Sequence, residues 1–202
     1  MRTIKVLLIA SVLIGGVARA NDRVRVGKAQ GSAWTFLALD IGVEQGLFAK
    51  QGIDIESAEL AGDAKVQQAF AAGSIDFGLG SGPGMAFAAK GSPAVAVAAF
   101  AGPPRNISAI VLHNSSIQTI ADLKGKTIAV STTGSLSDWL AKQMAIQEGW
   151  GQDGIRAAPL GAIPTSIAAL KAKQVDAVVL ATEAGFRLEE QNEGHVLATM
   201  DR

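Results

Sequence analysis

The stretch Lys126 to Leu140 places the hydroxyls of Ser131, Thr132, Thr133 and Ser135 around Gly134, directly after the apolar run Ile128 to Val130. A strand that breaks into a hydroxyl-rich turn and restarts as a helix leaves backbone N–H groups at the helix N-terminus. Such a turn can seat an anion or a polar head group through hydrogen bonds and the helix dipole, without a lysine or arginine. No basic residue occurs between Ser131 and Leu140. Ser135 followed by Asp138 reads as a capping box. The same residues could equally do no more than end a strand and cap a helix. The functional reading gains weight because the turn occurs twice: Gly31-Ser32, with Phe36 and Leu37 behind it, lies 103 positions before Gly134-Ser135, with Trp139 and Leu140 behind it. If Gly134 and Ser135 hold the acidic head of a ligand, Ser135→Ala costs roughly 1 to 2 kcal/mol of binding.

Bond-breaking chemistry has no comparable candidate. His113 and His195 stand in no metal-ligand spacing and read as surface or loop residues, so no metal is expected. No serine stands in G-x-S-x-G, and there is no cysteine in 202 residues to act as a nucleophile or thiolate ligand. Gly80-Ser81-Gly82-Pro83-Gly84 lets a ligand approach the backbone closely but fails the dinucleotide pattern G-x-G-x-x-G, and Gly125-Lys126-Thr127 lacks the first glycine of a phosphate-binding loop, position 120 being Ile. No cofactor is implied. Trp34, Trp139 and Trp150 have core packing as their plain alternative; Trp34 and Trp139 fall in the first turn of the helices behind the two Gly-Ser turns.

The elements that must position the turns follow from the repeat. Gly46-Leu47 recurs as Gly149-Trp150, and Phe70 to Leu79 lies over Leu170 to Val179 at an offset of 100, with Asp76 over Asp176. Each half reads strand, Gly-Ser turn, helix, strand, helix, strand, the alternation of a parallel α/β lobe. In the first half we expect strands at Val24 to Lys28, Ile53 to Glu56, Ile75 to Leu79 and Ala94 to Phe100. Its helices are expected at Ala33 to Gln45, with Phe36, Leu37, Ile41 and Val43 on the sheet, at Asp63 to Gly73 capped by Gly62, and at Met85 to Lys90. In the second half Ser108 to Leu112 is a strand, and Thr119 with Asp122 caps one helical turn. The expected divisions are 1–20, 21–106 and 107–202, the boundary between halves falling at Gly102-Pro103-Pro104. Two such lobes suggest a cleft with one turn on either side.

Residues 1–20 carry Arg2 and Lys5, the apolar run Val6 to Val17 and Ala18-Arg19-Ala20, the form of a secretory signal peptide. The whole chain has 18 basic and 18 acidic residues; removing three basic ones with that segment leaves 15 against 18, a net charge of −3. Nothing is shaped for nucleic acid. Hydrophobic residues make up 49% of the chain with few aromatics, the mix of helices on a parallel sheet.

Leu39 to Ile55, Ala72 to Gly78, Asp122 to Val130 and Val175 to Val178 together resemble, in order, the periplasmic solute-binding proteins of ABC importers, of the nitrate, sulfonate and taurine type. The resemblance implies the type II periplasmic-binding fold, two mainly parallel α/β lobes that close on a ligand. It implies contacts at Gln30, Gly31 and Ser32, with Trp34 beside them, at Gly80 and Ser81, at Thr133, Gly134 and Ser135, and near Thr182. It further implies a small, anionic ligand such as a sulfonate, taurine or nitrate, a membrane permease as partner, a monomer, a periplasmic location and no enzymatic activity. The alternatives are the related pyrimidine-precursor synthase, whose cysteine-rich motif is absent, and a ligand-sensing effector domain. In this fold a C-terminal return segment completes the first lobe. Here the chain stops at Arg202, so the expectation is a missing return segment, with residues 21–202 alone poorly soluble.

Overall fold

The computed structural model describes residues 21–31, 33–100 and 102–201. The expected signal peptide lies outside them.

The first lobe is a three-stranded parallel sheet with β1 (Asp22–Lys28) between β2 (Ile53–Glu59) and β3 (Phe77–Leu79). A 3-10 turn at Trp34–Phe36 leads into α1 (Leu37–Glu44); α2 (Asp63–Ala71) joins β2 to β3, and α3 (Gly82–Ala89) follows β3. The chain then enters the second lobe through β4 (Ile107–Leu112) and continues as β5 (Thr127–Val130), α4 (Leu136–Gln147), β6 (Arg156–Pro159), α5 (Ile163–Lys171), β7 (Ala177–Ala181), α6 (Thr182–Glu190) and β8 (Gly194–Thr199). These strands form a sheet in the order β6-β5-β7-β4-β8, in which β4 runs antiparallel to both neighbours. The helix bounds repeat closely: α2 starts at 63 and α5 at 163, α3 at 82 and α6 at 182.

The duplicated aspartate has one job in both lobes. Asp76 accepts from the Arg25 N–H at 2.8 Å while its own N–H donates to the Arg25 carbonyl; Asp176 does the same with Thr127, also at 2.8 Å. Each carboxylate thus pins the start of one strand to its parallel neighbour, β3 to β1 and β7 to β5. In the first lobe the Arg25 guanidinium also bonds Asp76, holding its carboxyl at about 2, below the ordinary 3.8. A depressed carboxyl stabilises the fold above its unfolded value and loses that contribution as pH falls through the folded one. The gap in urea midpoint between the wild type and Asp76→Asn is therefore expected to hold from neutrality down to about pH 4 and to close towards pH 2. A gap that does not change with pH would show that the pair does not couple to folding.

Several expectations change. Ala94–Phe100 is not a strand: it has no ladder partner among the described residues, and Val95, Val97 and Phe100 are exposed at 83%, 74% and 62%. Its counterpart β8 pairs with β4, and among the described residues no strand lies in the equivalent place beside β3. The helix expected from Ala33 begins as a 3-10 turn, and Leu37, Ile41 and Val43 are exposed rather than on the sheet; Phe36 is buried, and Gly42 abuts the Phe48 ring. The first-lobe cluster of Ala29, Phe36, Val66 and Ile75 is too small to cover the other apolar residues of α1. The third helix starts at Gly82, not Met85, because Ser81 is its N-cap and Pro83 falls in its first turn, where a missing N–H costs nothing. The glycine-rich turn is therefore largely helix.

Packing is concentrated in the second lobe. Ile128, Ala129 and Val130 of β5 and Val178 and Val179 of β7 are fully buried, covered on one face by Leu140, Ala141 and Met144 of α4 and on the other by Leu170, Ala184 and Leu188. Strands buried on both faces read as continuous apolar runs, as these do.

Candidate ligand cleft

Gly31 and the Gly134-Ser135 turn follow the carboxyl ends of β1 and β5, where a parallel strand hands over to its helix. In the second lobe the turn is held from within. Ser135 caps α4, its hydroxyl accepting from the Asp138 N–H at 3.5 Å and the Thr132 N–H at 3.3 Å. That hydroxyl lies in a buried cluster with Ser131 at 2.8 Å and Ser137 at 3.1 Å. The capping box is altered: the Asp138 carboxylate takes the N–H of Gly134, at 2.9 Å, and the ammonium of Lys142, at 2.8 Å. The expectation of open backbone donors is corrected here, since Ser131, Thr132, Gly134, Ser135 and Leu136 all have their N–H groups taken. The hydroxyls of Ser135 and Ser137, the Thr132 carbonyl and the Asp138 carboxylate satisfy four of these N–H groups from within the second lobe, and Asp63 of the first lobe takes that of Leu136. Ser135 shapes the turn from beneath, and Thr133 is its exposed tip. Gly134 has φ +78°, and a Cβ there would lie 3.2 Å from the Phe87 ring of α3.

In the first lobe, Lys28 at the end of β1 is buried and paired with Asp40 of α1 at 2.8 Å, its ammonium also reaching the Gly31 carbonyl at 3.4 Å. This cation is consumed in tying the turn to its helix. Gly31 lies against the carboxylate end of the exposed Glu59 side chain, which would have to swing aside to admit a Cβ. The carbonyl oxygen of the Gln30 side chain is buried without a hydrogen-bond partner, as is the Thr132 hydroxyl in the opposite turn. Trp34 is 67% exposed, so core packing is not its role. Ser32 lies outside the described residues. Trp139 is half exposed on α4, whereas Trp150 packs on the core.

The lobes touch through these same turns. Asp63, the first residue of α2, is 4% exposed; its carboxylate accepts from the Ser81 N–H and hydroxyl, each at 2.8 Å, and from the Leu136 N–H of α4 at 3.0 Å. Gly80 fits beside it, with 2.9 Å between an added Cβ and the carboxylate. In the other direction Glu183 of α6, 9% exposed, accepts from the Trp34 N–H at 3.4 Å. Asn106 donates to the Thr35 hydroxyl at 2.9 Å, and the Thr182 hydroxyl bonds Ser108 at 2.7 Å. The structure thus brings Gly80, Ser81 and the Gly134 turn together through Asp63, and places Trp34 against the helix that Thr182 starts. Sequence reasoning missed Asp63 and Glu183 as cleft residues. Asp63 was read only as the start of a helix, and nothing in the repeat marks either residue.

A pocket of about 260 Å³ lies elsewhere, between α4 and the end of β8, lined by Pro103, Trp139, Met144 and Met200 among others. It contains none of the residues expected to touch a ligand. His113 and His195 come together as a stacked pair at the edge of the second sheet, 5.3 Å between ring centroids, and no group of three metal-ligating side chains occurs among the described residues.

Residues 35–201 match the family model described as NMT1/THI5 like. The chain belongs to the NMT1/THI5-like family. A binding protein of Brucella abortus strain 2308 is 30% identical over 177 residues, 87% of this chain and 53% of the relative, so the chain spans about half the length of that relative. Among solved structures, the alkanesulfonate-binding protein SsuA of Xanthomonas axonopodis pv. citri, bound to MOPS, is 26% identical with a TM-score of 0.72, over 91% of this chain and 63% of that one. The periplasmic aliphatic sulphonate binding protein SsuA of Escherichia coli is 24% identical with a TM-score of 0.58, over 88% and 57%, a likeness of fold. The two-lobed α/β arrangement is that of the type II periplasmic-binding proteins, and all three of these relatives are named as binding proteins. No helix among the described residues is long and apolar enough to cross a membrane.

Proposed function

We propose that this protein is the extracytoplasmic solute-binding component of an ABC importer, which takes up a small polar solute between its lobes and delivers it to a membrane permease. The observation that carries the reading is the meeting of both Gly-Ser turns with the opposite lobe, through Asp63 to Leu136 and Glu183 to Trp34. Two lobes that meet at the turns where their strands hand over to helices can open and close on whatever lies there. The sulfonate-binding neighbour makes sulfonates the first solutes to test, with taurine and nitrate next. Gln30, Gly31, Ser32, Trp34, Gly80, Ser81, Thr133, Gly134, Ser135 and Thr182 would frame the solute, and residues 1–20 would direct export.

A thermal-shift screen against alkanesulfonates, taurine, nitrate, aromatic acids and pyrimidines tests this, because a ligand that binds only the folded state raises its midpoint. A rise with one solute class is expected. Ser135→Ala should weaken that solute by about 1 to 2 kcal/mol, through loss of the bonds that shape the turn. No shift with any solute, or chemical turnover of a pyrimidine, would overturn the reading.

A further inference from the structure

Asp63 makes three bonds that a captured anion would also make. Its carboxylate takes the Leu136 N–H at the start of α4 and both donors of Ser81, the N-cap of α3, while Asp63 itself begins α2. Three helix N-termini converge on one buried carboxylate, and their dipoles and N–H groups are what balances its charge. Among the described residues neither Asp63 nor Glu183 takes part in an ion pair, while Lys28 and Lys142 are held by Asp40 and Asp138. The junction between the lobes therefore carries two buried negative charges and no free cation on the residues that meet there.

We infer that Asp63 is a specificity-determining residue: it is the protein's own anion at the α4 N-terminus. In this closed arrangement it bars a simple anionic head from the Leu136 amide and favours solutes that present an ammonium or N–H donor to the junction. The inference rests on the proposed binding function and deepens it. An anion reaching the α4 N-terminus must first displace Asp63, which leaves a buried carboxylate unpaired. An ammonium or N–H donor gives up its hydration on entry but meets a buried carboxylate of opposite charge, which offsets that cost.

Two measurements on the full chain decide the matter. In the first, inorganic sulfate is titrated while the Leu136 and Ser81 amide resonances are followed in the wild type, in Asp63→Asn, which keeps the size and an acceptor oxygen, and in Asp63→Ala. The wild-type resonances are expected to stay in place. In both variants they should shift and saturate, with sulfate bound at least about ten-fold more tightly, the worth of one charge-assisted hydrogen bond. Equal sulfate responses in all three proteins would overturn the inference. In the second, 3-aminopropanesulfonate is compared with propanesulfonate. The wild type should prefer the amine-bearing solute, and Asp63→Asn should lose about ten-fold of that preference. An unchanged ratio overturns the role of Asp63 while leaving the binding function standing. Failure of both solutes to bind any of the proteins counts against the binding function, and the sulfate titration still decides Asp63.

Discussion

Backbone amides of Ile128 to Val130 and Val178 to Leu180 are expected to exchange with solvent roughly a hundred-fold more slowly than those of Val24 to Lys28, a difference of about 2.7 kcal/mol in opening free energy. Both sets lie in strands paired on both sides, β1 between β2 and β3, β5 between β6 and β7, and β7 between β5 and the antiparallel β4, so hydrogen bonding alone predicts no difference. The difference comes from cover. β5 and β7 are buried on both faces by α4 on one side and α5 and α6 on the other, within clusters that run from Ile110 to Leu188. β1 has α2 and the single ring of Phe36 behind it, and of its own residues only Val26, Gly27 and Lys28 are buried. Its partner β3 is three residues long, with Phe77 exposed. Local opening is governed by the apolar surface that must be wetted, and the first lobe has little to wet. Equal protection on β1 and β5, read by hydrogen exchange with mass spectrometry, would show that the lobes unfold as one cooperative unit.

The same contrast explains what could be read from the residues. The second lobe was legible because its strands are uninterrupted apolar runs and its helices carry strong punctuation: Ser135, Thr119 with Asp122, and Gly149. The duplication made the first lobe legible by analogy, and there the analogy failed in detail. Leu37, Ile41 and Val43 look like the buried stripe of a helix, but periodicity records which face is apolar, not whether anything covers it. Ala94–Phe100 has a strand's composition and lacks a neighbour to bond, and a ladder is a property of two segments. At the cleft the turns were visible because glycine and serine mark local backbone demands. Asp63 and Glu183 were not, since their roles arise from the approach of two lobes separated by up to 149 positions in the chain. A carboxylate in the first turn of a helix has an ordinary local explanation, which hides its second use.

Supplying one strand to the first lobe is expected to have a still larger effect. In the second sheet β4, arriving from outside the repeat, lies antiparallel between β7 and β8. The repeat sets β7 over β3 and β8 over Ala94–Phe100, so the equivalent slot is flanked by the free edge of β3 and a seven-residue segment that has no ladder partner among the described residues. Unpaired edges beside exposed Val95, Val97 and Phe100 favour intermolecular pairing. Residues 21–202 on their own are therefore expected to be less soluble, and to bind solute more weakly, than the same residues with that slot filled. The same residues followed by a C-terminal segment taken from a full-length relative should gain an antiparallel strand in the slot, pair Ala94–Phe100, and unfold cooperatively at a midpoint that rises with ligand. Exchange protection appearing at Phe77–Leu79 and Ala94–Phe100 only in the extended protein is the direct signature. If residues 21–202 alone match the extended protein in solubility, unfolding midpoint and ligand response, the slot needs no filling and the open edge is a stable feature of the first lobe.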